Sequence, residues 1–150
     1  MHTDGSGGEF LKLSAGGSLH RASHKTVDKK MHYIQQDGRR VYKFAIKGMA
    51  DVSYEVASRN NLTNDDIDLF IPHQANKRII DAAAKRLGLP DEKVLINIDK
   101  YANTTAATIP IGIVEAVETK RLKRGDNLIL ASFGAGFTWG ATYIKWGMDS

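Results

Sequence analysis

Three short stretches carry side chains whose types and spacing suit carbonyl chemistry. His73 lies in Ile67-Asp68-Leu69-Phe70-Ile71-Pro72-His73-Gln74-Ala75-Asn76, and Asn103 closes Asp99-Lys100-Tyr101-Ala102-Asn103. The third stretch is glycine-rich: Phe133-Gly134-Ala135-Gly136-Phe137-Thr138-Trp139-Gly140. A neutral imidazole and a carboxamide both present N–H groups. Two such donors aimed at one thioester carbonyl would stabilise an enolate, as an oxyanion hole does. A helix N-terminus disfavours an imidazolium, so a helix starting beside His73 would help keep it neutral and a donor at pH 7. Glycines at a strand exit let the backbone approach a ligand and present its N–H groups. The stretch is not a G-x-x-x-x-G-K-[ST] phosphate loop, and no helix pattern follows it. Plainer readings stand beside these: a hydrogen-bonded buried histidine, an asparagine N-cap, and a tight bulged hairpin turn.

The elements around these residues would position them. Leu69, Phe70 and Ile71 form a buried-strand run that Pro72 closes. A helix follows at once, with Ile79, Ile80, Ala83, Ala84 and Leu87 on one face and a stop at Gly88 and Pro90. Val94 to Ile98 reads as a second strand with Asp99–Asn103 as its exit loop. Residues 104–119 read as a second helix with Ile109, Ile113, Ala116 and Val117 inward, bent near Pro110. Residues 127–133 form a third strand, and 138–146 return antiparallel to it. His73 and Asn103 then occupy equivalent strand-to-helix junctions, about thirty residues or one βαβ unit apart. Neighbouring parallel strands would bring both to one rim, where sites in open α/β sheets collect.

Upstream, Val41, Phe44, Ala45, Met49, Val52 and Val56 recur at helical steps from Arg39 to Arg59, with Asp37 as N-cap. Gly48 weakens that helix by roughly 1 kcal/mol or admits close packing. Arg39, Arg40, Lys43 and Lys47 lie off the apolar stripe, as a solvated face does. Residues 1–9 read as a turn or loop and Glu9–Leu13 as a short strand. Residues 18–38 read as a solvated loop. Its His20, His24 and His32 lack the acidic partners that metal-binding histidines usually have, so no metal site is expected. Residues 1–38 are thus a Gly-rich segment leading into one domain, 39–150. The alternation of elements implies an α/β fold with a mixed, mostly parallel sheet and helices packed on it.

Bulk composition excludes several classes. The 150 residues, 42% hydrophobic, suffice for one domain with its own core. There is no cysteine, which excludes disulfides and thiolate metal sites, fits a reducing cytoplasm, and removes the commonest strong nucleophile. No apolar run approaches the roughly 18 residues of a membrane span, and the N-terminus lacks a signal core. The net charge of +4 suits an acidic partner but is too small and dispersed to argue for nucleic acid.

The motifs Pro72-His73-Gln74-Ala75-Asn76, Tyr101-Ala102-Asn103-Thr104-Thr105-Ala106-Ala107 and Phe133–Gly140, in this order and spacing, resemble the C-terminal half of β-ketoacyl-acyl-carrier-protein synthase III. The resemblance covers nearly the whole chain. It implies half of a thiolase fold and a role in fatty-acid synthesis: condensation of an acyl-CoA, usually acetyl-CoA, with malonyl-acyl-carrier protein. In that family a cysteine of the N-terminal half takes the acyl group. The residues matching His73 and Asn103 bind the malonyl thioester oxygen and drive decarboxylation. The resemblance further implies that Ala135 offers an oxyanion-hole N–H and that Phe133 lines the nucleophile's pocket. Gly38 and Asn76 match positions beside the pantetheine arm. Lys43, Arg78, Lys85 and Arg86 match basic residues that meet the acidic carrier protein. It implies no cofactor, since the CoA and phosphopantetheine thioesters are substrates. Related polyketide-type condensing enzymes share the His and Asn.

The family's N-terminal half has no counterpart here, and Met1 directly before a Gly-rich stretch reads as an engineered start or a split coding region. Alone, the chain is expected to lack full condensation and to keep the decarboxylating half of the machinery. A lone half would expose an apolar face, so a homodimer imitating the two-half arrangement is expected. The alternative class is a non-catalytic module that docks carrier protein or a thiolase-like partner.

Overall fold

The computed structural model describes residues 1–149. In order it contains β1 (His2–Thr3), β2 (Leu11–Leu13), α1 (His24–Asp28), β3 (Ile34–Gln36), α2 (Gly38–Arg59), β4 (Leu69–Pro72) and α3 (Lys77–Leu87). Then come α4 (Ile98–Tyr101), α5 (Thr108–Glu118), β5 (Asn127–Gly134) and β6 (Thr138–Lys145). The main sheet has the order β1-β6-β5-β4. Strands β4 and β5 pair in parallel from Leu69↔Leu128 to Pro72↔Ala131, and β5–β6 and β6–β1 are antiparallel. Strands β2 and β3 form a separate two-stranded sheet.

Both faces of the sheet are covered, so β4 is apolar throughout and fully buried. Strand alternation sends Phe70, Ile129 and Phe133 to one side, where they meet Val41, Ala45 and Met49 of α2 and Ile80 and Ala83 of α3. Leu69, Ile71 and Leu128 point the other way, into a second core with Leu95, Ala116 of α5 and Leu122. Two helix glycines mark close approach. A Cβ on Gly48 would stand 3.2 Å from the Trp139 ring, and one on Gly112 2.7 Å from Ile71 Cγ2. Gly48 thus admits packing of α2 on the sheet, which offsets its low helix propensity.

Asp37 caps α2 as expected, its Oδ1 accepting from the Arg40 N–H at 3.0 Å. Other expectations need correction. Val94–Ile98 is not a strand: it makes one parallel bridge, Phe70↔Val94, with the Leu95 N–H donating to Phe70 O at 2.9 Å. The reason is Gln74, only 1% exposed. Its Nε2 donates to Pro72 O and Leu95 O at 2.9 and 3.1 Å, and its Oε1 accepts from the Asn97 N–H at 3.0 Å. One carboxamide thus supplies the pairing that a strand ladder would have given. Helix α3 starts later than expected, at Lys77, because Asn76 is its N-cap. Pro110 falls in the first turn of α5, where its missing N–H would have had no partner, so it demands no bend.

The N-terminal segment is also more ordered than its composition suggests. Gly5–Phe10 winds into a 3₁₀ turn, and Leu11–Leu13 pairs with Ile34–Gln36. A Ser23/Thr26 capping box starts α1 within residues 18–38. Asp4 and Phe137 exchange backbone N–H···O bonds of 2.8 Å, which docks this segment against the glycine turn. A Cβ at Gly7 would stand 2.1 Å from the Phe137 ring, so that contact demands a glycine. His32 Nε2 lies 2.9 Å from Thr26 Oγ1, and among the described residues no three His, Cys, Asp or Glu side chains group as a metal set. No described helix is long and apolar enough to cross a membrane.

Candidate active site

A cavity of about 750 Å³ opens between the β2–β3 sheet, the start of α2, the β4–α3 connection, the Asn103 loop and the end of β5. Leu11, Val41, Ala45, Met49, Ile79 and Phe133 give it an apolar wall, and His73, Asn76, Asn103 and Thr105 give it a polar one. His73 directly follows β4, its backbone N–H donating to Ala131 O at 2.7 Å to extend the ladder by one bond. The neighbouring Gln74 is bonded to Leu95 and Asn97, at the head of the turn leading to Asn103. A single buried side chain therefore splices the His73 loop to the Asn103 loop.

Each member of the pair has one polar atom committed to the protein. Asn103 Oδ1 accepts from the Thr105 N–H at 2.9 Å. A backbone N–H can only donate, so the carboxamide oxygen is the engaged atom and its NH₂ is left free. His73 Nδ1 lies 2.6 Å from Thr108 Oγ1, and Thr108 is only 3% exposed. Thr108 Oγ1 is also 3.1 Å from Thr105 O, so one short network joins the two loops. Burial holds the His73 pKa below the ordinary histidine value of 6.5, which keeps the ring neutral at pH 7. Desolvation thus adds to the preference for the neutral ring. The expected helix N-terminus is not beside it, since α3 begins four residues later.

The backbone around Asn103 is strained. Ala102 (φ 57°) and Thr105 (φ 53°) are left-handed residues that are not glycine, one on either side of the site. The β5 exit contributes Phe133, Gly134 and Ala135 to the same cavity, and the Phe133 ring packs against Phe137 at 5.0 Å between centroids.

Gly38 and Asn76 line the cavity too, although Asn76 Oδ1 is occupied in accepting from the Arg78 N–H at 3.0 Å. The Arg78 guanidinium stacks 4.9 Å over Tyr42, itself a lining residue, and Lys43, which follows Tyr42 on α2, is exposed. Lys85 and Arg86 do not join this group. They border a separate hollow of about 430 Å³ with Tyr54 and Leu87, and Arg86 pairs with Asp51 at 3.2 Å. They lie about 10–12 Å farther along α3 than Arg78 at 1.5 Å per residue. The sequence reading passed over Thr108 and Gln74. The only signal for either was position: Gln74 follows His73, and Thr108 falls at the start of the helix after Asn103.

The family model for 3-Oxoacyl-[acyl-carrier-protein (ACP)] synthase III C terminal matches residues 57–146. Beta-ketoacyl-[acyl-carrier-protein] synthase III of Chlorobium chlorochromatii is 56% identical over 147 residues, 97% of this chain and 45% of that protein. Two solved structures are similar along 97% of the chain. The synthase III of Thermus thermophilus has a TM-score of 0.84 at 41% identity, and that of Aquifex aeolicus VF5 has 0.81 at 39%. The matches cover 44% and 42% of those chains, so this chain spans somewhat under half the length of its relatives. The family model matches more than half of this chain and the relatives are alike along nearly all of it, so the chain belongs to the 3-oxoacyl-acyl-carrier-protein synthase III family, matching its C-terminal part.

Proposed function

We propose that this chain supplies the decarboxylating centre of a β-ketoacyl-acyl-carrier-protein synthase III, an acyltransferase of fatty-acid synthesis. The observation that carries the reading is the convergence of His73 and Asn103 on one cavity, each with its other polar atom held by the protein. In this reading the malonyl thioester oxygen accepts one N–H from His73 and one from Asn103. The electron pair of the breaking C–CO₂ bond moves into the enolate, CO₂ leaves, and the two donors stabilise the oxygen's developing charge. In the complete enzyme the enolate carbon attacks the acyl thioester and displaces its thiolate. In this chain alone, which has no cysteine, the enolate takes a proton and gives the acetyl thioester. The chain by itself is therefore inactive in full condensation. Ala135 N–H would serve the acyl-group oxyanion and Phe133 would wall the nucleophile's pocket.

The substrates are thioesters of CoA or of carrier-protein phosphopantetheine, and no cofactor is needed. The pantetheine arm would pass Gly38 and Asn76 along the apolar wall. Lys43 and Arg78 would meet the acidic carrier at the mouth, and Lys85 and Arg86 would meet it farther out, with attraction that weakens in salt. Helix α5 is apolar on nearly all sides, yet its Val114 is 55% exposed. Such a helix is normally buried, so we assign that face to the family's N-terminal half or to a second copy of the chain. A monomer by light scattering would overturn the homodimer. The lack of cysteine accords with a cytoplasmic setting.

The deciding experiment is release of CO₂ from malonyl-CoA or malonyl-carrier protein by this chain. His73→Ala should lower the rate about 10²- to 10³-fold. No activity together with retained carrier binding would favour the docking module instead.

A further inference from the structure

Two donors can share one oxygen only if the histidine carries its proton on the nitrogen that faces the cavity. A neutral imidazole has one N–H, and the partner of the other nitrogen decides which it is. Here that partner is Thr108 Oγ1, 2.6 Å from Nδ1 and buried at the first position of α5. A hydroxyl has one hydrogen, and two acceptors compete for it: His73 Nδ1 at 2.6 Å and Thr105 O at 3.1 Å. If the hydrogen went to Thr105 O, Nδ1 would have to donate to Oγ1 and the cavity would face a bare Nε2. That ring would be an acceptor and would repel a carbonyl oxygen.

Two observations decide the competition. The 2.6 Å contact is shorter than the roughly 2.7–3.2 Å of N–H···O bonds, which argues against Nδ1–H as its donor, and the 3.1 Å contact is longer than the roughly 2.5–3.0 Å of O–H···O bonds, which argues against the hydroxyl donating to Thr105 O. Thr105 O, in addition, already accepts the Thr108 backbone N–H and so has a partner without the hydroxyl. We infer that Thr108 is a positioning residue: its hydroxyl donates to His73 Nδ1 and so places the ring proton on Nε2, toward the cavity. The same loop engages the second donor residue, because the Thr105 N–H occupies Asn103 Oδ1 and so leaves the NH₂ as the side chain's available group, on a residue that lines the same cavity. Thr105 and Thr108 thus orient both donors of the pair. The inference rests on the reading of His73 as a donor to the thioester oxygen.

The test is the tautomer itself. The whole chain is labelled with ¹⁵N-histidine and studied at pH 8 by long-range ¹H–¹⁵N correlation, with His73 identified by its loss in the His73→Ala spectrum. We expect Nε2 with the shift of a protonated ring nitrogen and Nδ1 with that of a bare one. Thr108→Ser should keep that pattern. Thr108→Val, nearly the same shape without the hydroxyl, should show a measurable fraction of the Nδ1-protonated form. Decarboxylation should fall about tenfold in the Val variant and return in the Ser variant. A wild-type ring protonated on Nδ1, or a Val spectrum identical to wild type, would overturn the inference. Should the Val variant fail to fold, the wild-type spectrum still decides. A chain with no decarboxylase activity counts against the proposed function alone, because the tautomer is read without turnover.

Discussion

The His73 and Asn103 loops do the same job in the proposed site but are built in opposite ways. His73 is half-buried at the end of a fully buried strand. Asn103 is exposed, between two left-handed residues that are not glycine, and follows a four-residue helix rather than a strand. One donor is held by packing, the other by a strained turn and by bonds to its neighbours. The half-buried side also gains its neutral ring from burial, whereas the exposed side uses a group that never titrates. Within one cavity, then, a rigid core edge and a strained loop are tied by Gln74, whose carboxamide bonds to Pro72 at the strand end and to Leu95 and Asn97 just ahead of the helix that leads to Asn103.

That splice should be the most sensitive point outside the donors themselves. Gln74→Leu would leave Pro72 O, Leu95 O and the Asn97 N–H without their buried partner. At about 1–3 kcal/mol for each unsatisfied group, the loss should reach about 3 kcal/mol or more. Urea unfolding should show it as a lower midpoint at unchanged slope. A loss below 1 kcal/mol would mean that the two loops hold their places independently of Gln74.

Strain on the Asn103 side can be tested in the opposite direction. Ala102 at φ 57° pays for a conformation that glycine adopts freely. Such residues cost about 1–3 kcal/mol, and glycine returns about 0.5–1 kcal/mol of that as chain entropy. Ala102→Gly should therefore stabilise the chain by about 1 kcal/mol, read again from the urea midpoint. A destabilised variant would show that the loop is not under strain.

The same contrast explains what could be read in advance. Periodicity revealed α2, α3, α5, β4, β5 and β6, because those elements bury whole faces, and it placed His73 at a strand end. Val94–Ile98 reads as a strand because four of its five residues are branched and apolar. Only the Leu95 N–H bonds to a strand, and Leu95 O and the Asn97 N–H go to the Gln74 side chain, a long-range partner that leaves no local pattern in sequence. Thr108 was passed over for the same reason, since its bond to His73 spans 35 positions. Helix α1 and the 3₁₀ turn at Gly5–Phe10 are too short for any period to register. The motif residues themselves were legible through resemblance, and the structure gathers His73, Asn103, Phe133, Ala135, Gly38 and Asn76 on one cavity while leaving Lys85 and Arg86 elsewhere.

The smallest effect should lie in pH, and it separates the two loops by chemistry rather than by mechanics. Burial lowers the folded pKa of His73 below 6.5, so the unfolded chain binds this proton first as pH falls. Stability tied to His73 is thus fully present above about pH 6.5 and declines as pH drops through that value toward the folded pKa. The carboxylates held low by hydrogen bonds, Asp4 through Ser6, Glu55 through His2, Asp66 through Thr63 and Glu115 through Asn97, lose their share only lower, below the ordinary carboxylate values of 3.8 to 4.5. Comparing wild type with His73→Gln isolates the histidine: the stability difference between the two should shift against wild type from pH 8 to pH 5, by urea unfolding at each pH. Asn103→Ala, lacking any titrating partner, should leave that difference with wild type constant over the same range. If the two variants show the same pH slope, burial is not what keeps the ring neutral, and the two loops are more alike than their surroundings imply.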